Sequence, residues 1–380
     1  MGRERVLIVG VSTRALAESA SRAGYACRSV DAFGDLDQKA RVDNLGLHPD
    51  LGRRYSAAAV VAAAAGLQAD STAYVANLEN HPGPVAVLAR GRRLLGNSPG
   101  SLARARDFAA LAAAAARAGV RAPRVVAPRE AARGGRWLRK PARGGGGSGV
   151  VDWRPGQPVG AGDLVQERID GLLASMAFVA DGRRARVLGF ARGLAGDPAL
   201  GGRGYRYCGS LYPLRLEARL AGRLEALAQA ATRAFELVGV NGLDFVVRDG
   251  EAFVLELNPR YTASMELVER GCGTSVFELH RAACQGALPG PEPAPPREVL
   301  GKGVLWARRD LVVGDTRGWL ARDDVRDVPA PGQRIRRGHP VCSLFARGGD
   351  AAACHAALAA AAAALEEETL PWTRASQPAR

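Results

Sequence analysis

The first hundred residues alternate apolar runs with segments of helical pattern. Arg5–Gly10 (RVLIVG) is an apolar run that ends in glycine and favours a buried strand, and Cys27–Asp31 is predicted to be a second strand. Between them Ser12 or Thr13 can cap a helix over residues 13–23. Further elements predicted by the pattern are a helix over Tyr55–Gly66, a strand over Thr72–Ala76, and a helix or a strand over Val85–Ala89. This strand–helix–strand order predicts a parallel α/β domain over residues 1–96.

From residue 97 the pattern changes to strands and hairpins between long helices. Asn97–Pro99 forms a turn with a helix-capping signal, and an alanine-rich helix is predicted from there to about Arg117. The predicted strands are a short run between Pro123 and Pro128, Trp137–Lys140, Leu164–Ile169, Leu172–Val179 paired with Arg186–Arg192 around Asp181-Gly182, and Leu243–Val247 paired with Ala252–Leu257 around Asp249-Gly250. The remaining predicted helices are Leu216–Leu237 and Glu266–Gly286. This mixture predicts an α+β domain over residues 97–288.

A proline-rich segment then separates the end of the chain. Pro289–Pro296 contains five prolines, which is typical of a linker. Short strands and an alanine-rich helix over residues 350–368 are predicted after it, and the tail from Pro371 is expected to fray. The pattern therefore predicts a third, small, β-rich domain over residues 289–380.

Composition narrows the class of protein. The net charge is +14, but 49 of the 52 basic residues are arginines, they form no long run, and aromatic residues make up only 6% of the 380 residues. A nucleic-acid module, which needs a basic face or a stacking platform, is therefore not expected. The sequence shows no apolar signal core, no membrane-length apolar stretch and no CxxC pair, so we expect a cytoplasmic protein without a membrane partner.

A glycine-rich loop directly follows a predicted strand that ends in lysine. Lys140 ends the strand, and Gly144–Gly147 and Ser148 follow in the loop over Arg143–Gly149. Glycines let backbone N–H groups approach phosphate oxygens, and Lys140 adds a positive charge for the α- or β-phosphate. The loop lacks the GxxxxGK[ST] pattern of a P-loop. A flexible linker is the alternative interpretation, although it does not explain a lysine at this position.

A second candidate segment is Val165–Gly171 (VQERIDG), at the end of a predicted strand. The backbone of such a strand end could bond an adenine ring, and Glu167 could bind the adenine amino group or a ribose hydroxyl. We therefore take Gln166, Glu167, Arg168 and Ile169 as candidate nucleotide contacts. A solvated strand end is an equally good interpretation of this segment on its own.

A third constellation combines acids, an amide and an arginine. Glu256 and Asn258 are two residues apart on a predicted strand, so their side chains share a face, and Asp244 on the preceding hairpin strand can oppose them. Carboxylate and amide oxygens suit a Mg²⁺ ion that bridges phosphates. Arg260, on the same face, can neutralise a transferred phosphoryl group. Such polar residues in an apolar strand predict a binding site, since burying them without partners would be costly.

These three motifs, in this order and spacing, resemble the ATP-grasp superfamily over residues 97–285. The resemblance implies an ATP-grasp fold, with a Rossmann-like domain before it and subdomains over about 97–168 and 169–288. It also implies bound ATP and Mg²⁺, with Mn²⁺ as an alternative cation. Implied roles are a mobile phosphate lid for Lys140 and the glycine loop, an adenine-contacting hinge for residues 166–169, Mg²⁺ ligands for Asp244, Glu256 and Asn258, and contact with an acyl phosphate for Arg260.

One position departs from the pattern of that superfamily. Many of its members carry a second ATP-binding lysine in an Asp-Lys pair, and here the pair reads Asp107-Phe108. Arg104 or Arg106 could supply the missing charge. If neither does, a non-catalytic ATP-binding protein is the expected alternative.

The C-terminal segment Gly332–Gly348 is similar to the end of biotin carboxylase and its relatives. Tyr207–Ser210 and Gly301–Val304 resemble the predicted ATP-dependent carboligases of methanogens and methylotrophs. These likenesses imply an ADP-forming carboxylate–amine ligase that works through an acyl phosphate, with small carboxylate and amine substrates. They also imply a role in making a one-carbon cofactor such as methanofuran or tetrahydromethanopterin, and they allow a homodimer. Bicarbonate activation by a biotin-carboxylase-like enzyme is the alternative reaction.

Overall fold

The computed structural model describes residues 4–131, 134–141, 143–288, 290 and 294–372. Most of the tail predicted to fray from Pro371, and part of the predicted linker Pro289–Pro296, lie outside these residues. Over the described residues, no helix combines the length and the apolar content needed to cross a bilayer.

The N-terminal residues form the predicted parallel sheet, with strand order β3-β2-β1-β4-β5 in the described chain. Its strands are β1 (Arg5–Val9), β2 (Ala26–Asp31), β3 (Asp43–Gly46), β4 (Ser71–Tyr74) and β5 (Arg93–Leu95). Its helices are α1 (Arg14–Arg22), α2 (Leu36–Lys39), α3 (Leu47–Leu51), α4 (Ala57–Ala64) and α5 (Pro82–Leu88). The segment Val85–Ala89, for which the sequence allowed a helix or a strand, is therefore helical. Its helix begins with a proline, whose missing N–H costs nothing at that position.

The next residues build a smaller antiparallel sheet, with strand order β6-β9-β7-β8 in the described chain. Its elements are α6 (Pro99–Ala105), α7 (Phe108–Arg117), β6 (Val125–Val126), α8 (Pro128–Ala131), β7 (Trp137–Lys140), β8 (Val151–Trp153) and β9 (Leu164–Glu167). The prediction of one long helix to Arg117 was wrong, because Asp107 leaves the helical conformation and its side chain accepts hydrogen bonds from the N–H groups of Ala109 and Ala110. Asp107 thus caps a second helix.

The third group of elements forms the predicted hairpins. They are β10 (Leu172–Asp181), β11 (Ala185–Ala195), β12 (Tyr207–Tyr212), α9 (Ala218–Phe235), β13 (Val238–Arg248), β14 (Glu251–Asn258), α10 (Met265–Cys272) and α11 (Val276–Cys284). Asp249 and Gly250 both have positive φ at the β13–β14 turn, as a tight hairpin turn requires. The single helix predicted over Glu266–Gly286 is in fact two, since Gly273 ends α10 in the left-handed conformation.

The C-terminal strands continue this sheet, and their hydrophobic core also includes Leu194, Leu200, Cys208 and Leu211 from the preceding domain. The last elements are β15 (Val299–Trp306), β16 (Leu311–Val312), β17 (Val325–Arg326), β18 (Arg334–Ile335), β19 (Pro340–Gly348) and α12 (Ala351–Glu368). In the described chain β15 pairs with β12, so that one antiparallel sheet runs β14-β13-β10-β11-β12-β15-β19-β17. The domain boundary at residue 289 stays a prediction, because strands on both sides of it share one sheet.

A buried arginine joins three distant parts of the chain. Arg14, on the first turn of α1, makes a bidentate ion pair with Glu266 at 2.8 and 2.9 Å and a second pair with Asp327 at 2.7 Å. Burial opposes the charge of Glu266, but Arg14 and Lys302 outweigh it and hold the pKa of Glu266 well below its ordinary value. This pairing fixes the N-terminal sheet against α10 and the C-terminal segment.

We predict that Arg14→Met destabilises the protein by about 3–5 kcal/mol, because Glu266 and Asp327 are left buried with a lost partner. Arg28→Met is the control, because Arg28 pairs with Asp43 on the surface at 2.6 Å with both side chains about half exposed. The control should cost less than about 1 kcal/mol. Urea denaturation followed by circular dichroism measures both, and equal losses would contradict the role given to Arg14.

Candidate functional site

A cavity of about 530 Å³ lies where the three sheets meet. The carboxyl ends of the parallel strands β1 and β4 contribute Val11, Ser12 and Val75 to its wall. Ligands in α/β proteins bind outside the carboxyl ends of parallel strands, so this position favours a binding site. The predicted site residues that line the cavity are Arg106, Lys140, Gly144, Gly145, Gly146, Gly147, Gln166, Asp244, Glu256, Asn258 and Arg260.

Two carboxylates face each other at one end of this cavity. Asp244 on β13 is the register partner of Glu256 on β14, so both side chains point to the same face. Asn258 donates a 2.9 Å hydrogen bond from Nδ2 to Asp244 Oδ2. Burial, and then repulsion from Glu256, raises the pKa of Asp244 to about 8. A cation placed between the two carboxylates would therefore stabilise them by offsetting their repulsion.

The donor chemistry of this end fits Mg²⁺. Two carboxylates and one amide oxygen are hard oxygen ligands, and Mg²⁺ is commonly bound by one or two carboxylates with phosphate oxygens in the remaining positions. The site has two carboxylates, and the described residues contain no group of three or more His, Cys, Asp and Glu side chains placed to hold a metal. A cation held by Asp244, Glu256 and Asn258 would thus need further oxygens, which a bound phosphate supplies.

Lys140 reaches the same end of the cavity from the smaller sheet. Its Nζ lies 3.4 Å from the carbonyl oxygen of Leu255, next to Glu256. Burial works to raise the pKa of Glu256, but the charge of Lys140, the Asp244 hydrogen bond and the charges of Arg106 and Arg260 lower it. One carboxylate of the pair is therefore kept ionised. Lys140 therefore lines the same cleft as Asp244 and Glu256, although Lys140 and Glu256 are 116 residues apart in the sequence.

The glycine loop lies across the cavity and is held at both sides. The carbonyl oxygen of Gly146 accepts a 2.9 Å hydrogen bond from the N–H of Tyr207, and that of Gly144 accepts one of 3.2 Å from Asn80 Nδ2. Gly147 has φ +71°, and a Cβ there would overlap the carbonyl oxygen of Tyr205. The close approach of the loop to Tyr205 is thus open only to glycine.

Two arginines converge on a glutamate that the sequence analysis did not identify. Arg260 Nε donates a 2.8 Å hydrogen bond to Glu79 Oε1, and Arg260 also donates one of 3.1 Å to Asn258 Oδ1. Arg106 lies 3.9 Å from the same Glu79 oxygen. Glu79 is 1% exposed, so its charge acts at short range on both arginines. The one signal for it is its place just after β4, at the carboxyl end of a parallel strand.

Phe108 stands where many ATP-grasp proteins carry a lysine, and Arg106 nearby carries the positive charge that this lysine would supply. Arg106 lines the cavity, and its Nε is buried without a hydrogen-bond partner in the described structure. Arg104 instead forms an ion pair with Glu236 away from the cavity. Of the two arginines left open by the sequence, Arg106 is the one that faces the cavity.

Some of the predicted contacts lie outside the lining of the cavity. Gln166 lines it, and its Nε2 is buried without a partner in the described structure, whereas Glu167 accepts a hydrogen bond from the Arg124 N–H on the other side of β9. Strand alternation explains this difference, since neighbouring side chains point to opposite faces. Arg168 pairs with Asp152 and Asp170, Ile169 packs on Val246 and Phe253, and Ser148 is exposed. Their assigned roles stay predictions.

Comparison with known proteins identifies the domain around this cavity. Residues 106–264 match the family model described as "ATP-grasp domain". A curated relative, an uncharacterised protein of Methanocaldococcus jannaschii, is 23% identical over 144 residues, which are 37% of this chain and 34% of that protein. Phosphoribosylaminoimidazole carboxylase of Schizosaccharomyces pombe is 41% identical over 75 residues, 19% of this chain and 14% of that protein. The chain thus spans about a third or less of the length of these relatives.

Solved structures are similar over almost the whole chain. Biotin carboxylase of Campylobacter jejuni superimposes with a TM-score of 0.68 at 16% identity, over 98% of this chain and 91% of that one. N5-carboxyaminoimidazole ribonucleotide synthetase of Thermus thermophilus gives 0.67 at 21% identity, over 97% and 100%. The chain contains an ATP-grasp domain and has the ATP-grasp fold, with a parallel N-terminal sheet, as its sequence predicts.

We predict that Gly147→Ala weakens MgADP binding, because the added methyl group collides with Tyr205 and the residue has positive φ. The strain should cost about 1–3 kcal/mol, or roughly fivefold to a hundredfold in affinity. Gly145→Ala is the matched control, since a Cβ there meets no atom within 4 Å. Isothermal titration with MgADP measures both variants, and unchanged binding by Gly147→Ala would argue against a phosphate-binding role for the loop.

Proposed function

We propose that this chain is an ADP-forming ligase that uses MgATP to activate a carboxylate and joins it to an amine. The observation that carries the proposal is a single cavity with Asp244, Glu256 and Asn258 at one wall and Lys140 with the glycine loop opposite. An ATP-grasp domain match over residues 106–264 supports nucleotide binding there.

The residues of the cavity divide into three tasks. Lys140 and the N–H groups of the glycine loop bind the phosphates, and Gln166 is the contact we assign to the base. Asp244, Glu256 and Asn258 would hold Mg²⁺, which would neutralise phosphate charge when bound. Arg260, fixed by Glu79, faces the transferred phosphoryl group and the acyl oxygen.

The chemistry needs an activated acyl group because oxide is a very poor leaving group. A carboxylate oxygen attacks the γ-phosphorus of ATP, the bond to the bridging oxygen breaks, and ADP and an acyl phosphate result. An amine then forms the new C–N bond, the C–O bond to phosphate breaks, and the amine loses a proton. Closure of the glycine loop over the cavity protects the acyl phosphate from water.

A second candidate reaction is activation of bicarbonate. The similarity in fold to biotin carboxylase over 98% of the chain favours it, although at 16% identity the likeness concerns the fold alone. Bicarbonate is itself the carboxylate in that reaction, so the same cavity would serve. A non-catalytic ATP-binding role was prompted by Phe108, and Arg106 in the cavity weakens that reading.

The finer assignments stay predictions from the sequence. They are a role in one-carbon cofactor biosynthesis, Mn²⁺ as an alternative cation, a homodimer, and a cytoplasmic location. The curated relative from a methanogen carries no stated activity, so its similarity does not bear on the pathway.

We predict that ADP release requires Mg²⁺, an acid and an amine together, and that hydroxylamine in place of the amine yields the hydroxamate of the acid. A coupled ADP assay over amino acids and aryl amines, with and without bicarbonate, identifies the pair.

The double variant Glu256→Ala with Asn258→Ala should lose at least about a hundredfold in rate, as expected when a stabiliser of transition-state charge is removed. Full activity of this double variant would refute the assigned site.

We also predict that Glu79→Gln lowers kcat about tenfold to a hundredfold, since Arg260 loses a buried charged partner worth about 1.5–3 kcal/mol. Glu236→Gln is the control, because Glu236 pairs with Arg104 at the surface. Steady-state kinetics with the pair found above measure both. A kcat for Glu79→Gln equal to that of the control would remove Glu79 from the site.

A further inference from the structure

The cavity extends well beyond the residues assigned to MgATP. Its other end is lined by Ser210 on β12 and Lys302 on β15. The two are register partners, so both side chains lie on the same face of the large sheet. Asp244 shares this face through its register partner Ser175 on β10. Four strand spacings separate β13 from β15, which places Lys302 about 19 Å along the sheet from the acids.

Lys302 is a buried cation with hydrogen-bonding capacity to spare. It is 6% exposed, and its Nζ donates a 2.7 Å hydrogen bond to Glu266 Oε2. An ammonium group has three donors, and in the described structure its contacts are the Glu266 carboxylate and the face of the Phe345 ring, whose centroid is 5.7 Å from Nζ. Burying a charge with unused donors is costly unless a ligand completes its shell.

Glu266 binds Lys302, but its carboxylate also binds other cationic side chains. Its carboxylate also accepts two hydrogen bonds from Arg14 and lies 3.4 Å from Arg270. The donors of Arg14 are directed at Glu266, Glu18 and Asp327, so Arg14 has a structural role. Glu266 is therefore a positioning residue that fixes the ammonium of Lys302, a residue that lines the cavity.

Hydroxyl groups stand beside Lys302 at the same end. Ser210 Oγ and the Tyr207 hydroxyl lie 3.0 Å apart, and both residues line the cavity. Ser12 and Ala15, at the start of α1, also line the cavity. The side chain of Thr13 does not cap this helix. Its N–H groups add partial positive charge. Between the two ends Gly193 and Leu173 line the cavity, and the Leu173 side chain packs over Gly193.

We propose that this end is a subsite for an anionic group, a carboxylate or a phosphate, on the distal part of the substrate that reacts beside Arg260. Lys302 pairs with the anion, and one hydroxyl of the hydrogen-bonded pair Ser210 and Tyr207 donates a hydrogen bond to it. The substrate is thus an acid or an amine with an added negative charge several bonds from the reacting atom. This inference rests on the proposed function for the identity of the reacting end.

Binding of small dianions to the full chain tests the subsite. Dicarboxylates from suberate to tetradecanedioate are compared by calorimetry, in the presence of MgADP, with monocarboxylates of the same length and with the matching phosphono-carboxylates. At least one dianion should bind about tenfold to a hundredfold more tightly than its monoanionic counterpart, as a hydrogen bond to a charged group provides. Whether carboxylates or phosphono-carboxylates are preferred assigns the chemistry of the anion.

Variants at lysine positions decide whether Lys302 is responsible. Lys302→Met should abolish the preference for dianions, whereas Lys302→Arg should keep most of it. Lys39→Met is the matched control, since Lys39 pairs with Asp50 at 2.6 Å outside the cavity. Ser210→Ala should weaken the preference without removing a charge, which covers the case in which Lys302→Met does not fold.

The outcomes separate the subsite from the proposed function. A dianion preference that persists in Lys302→Met, or its absence from a wild-type chain that binds MgADP, would overturn the subsite. Failure of the wild type to bind MgADP would contradict the proposed function, and the same dianion comparison without nucleotide would still decide the role of Lys302.

Discussion

Repulsion between two partly buried carboxylates is the constraint around which the cavity is organised. The register of β13 on β14 sets Asp244 directly opposite Glu256, and neither can move away without breaking the ladder. Positive charge must therefore come from elsewhere in the chain. It comes from Lys140 on β7, Arg106 after α6 and Arg260 after β14, three segments that sequence order keeps far apart. In the folded chain these three positive charges meet the two carboxylates in one cleft.

The N-terminal sheet takes part in the site although it carries none of the three motifs. Glu79, just after β4, fixes Arg260, and Asn80 beside it bonds the carbonyl oxygen of Gly144 in the glycine loop. Arg14 anchors the same sheet to Glu266, which in turn fixes Lys302 at the far end of the cavity. The N-terminal sheet thus makes polar contacts with both the Arg260 side and the Lys302 side of the cavity lining. Such contacts are worth more than surface pairs because little water screens them.

Several expectations failed for local reasons that the sequence contains but that the overall pattern hides. Asp107 was considered only as the neighbour of a missing lysine, yet it caps α7 and divides the predicted long helix. Glu167, by contrast, stays a predicted nucleotide contact: Gln166 lines the cavity, and the Glu167 side chain accepts a hydrogen bond from the N–H of Arg124, just before β6. A strand pattern gives the period of the side chains, but it does not say which of the two faces a cleft.

The sequence by itself determined the order of the elements, the ATP-grasp motifs and the residue types that can hold a magnesium nucleotide. These depend on spacing along one strand or one loop, which short-range geometry controls. Only the tertiary structure decided that Glu79 supports Arg260, that Arg106 and not Arg104 faces the cavity, and that Lys302 lines it. Those choices depend on contacts between residues as far as 181 positions apart, which arise from how the sheets pack and leave no periodic trace in the chain.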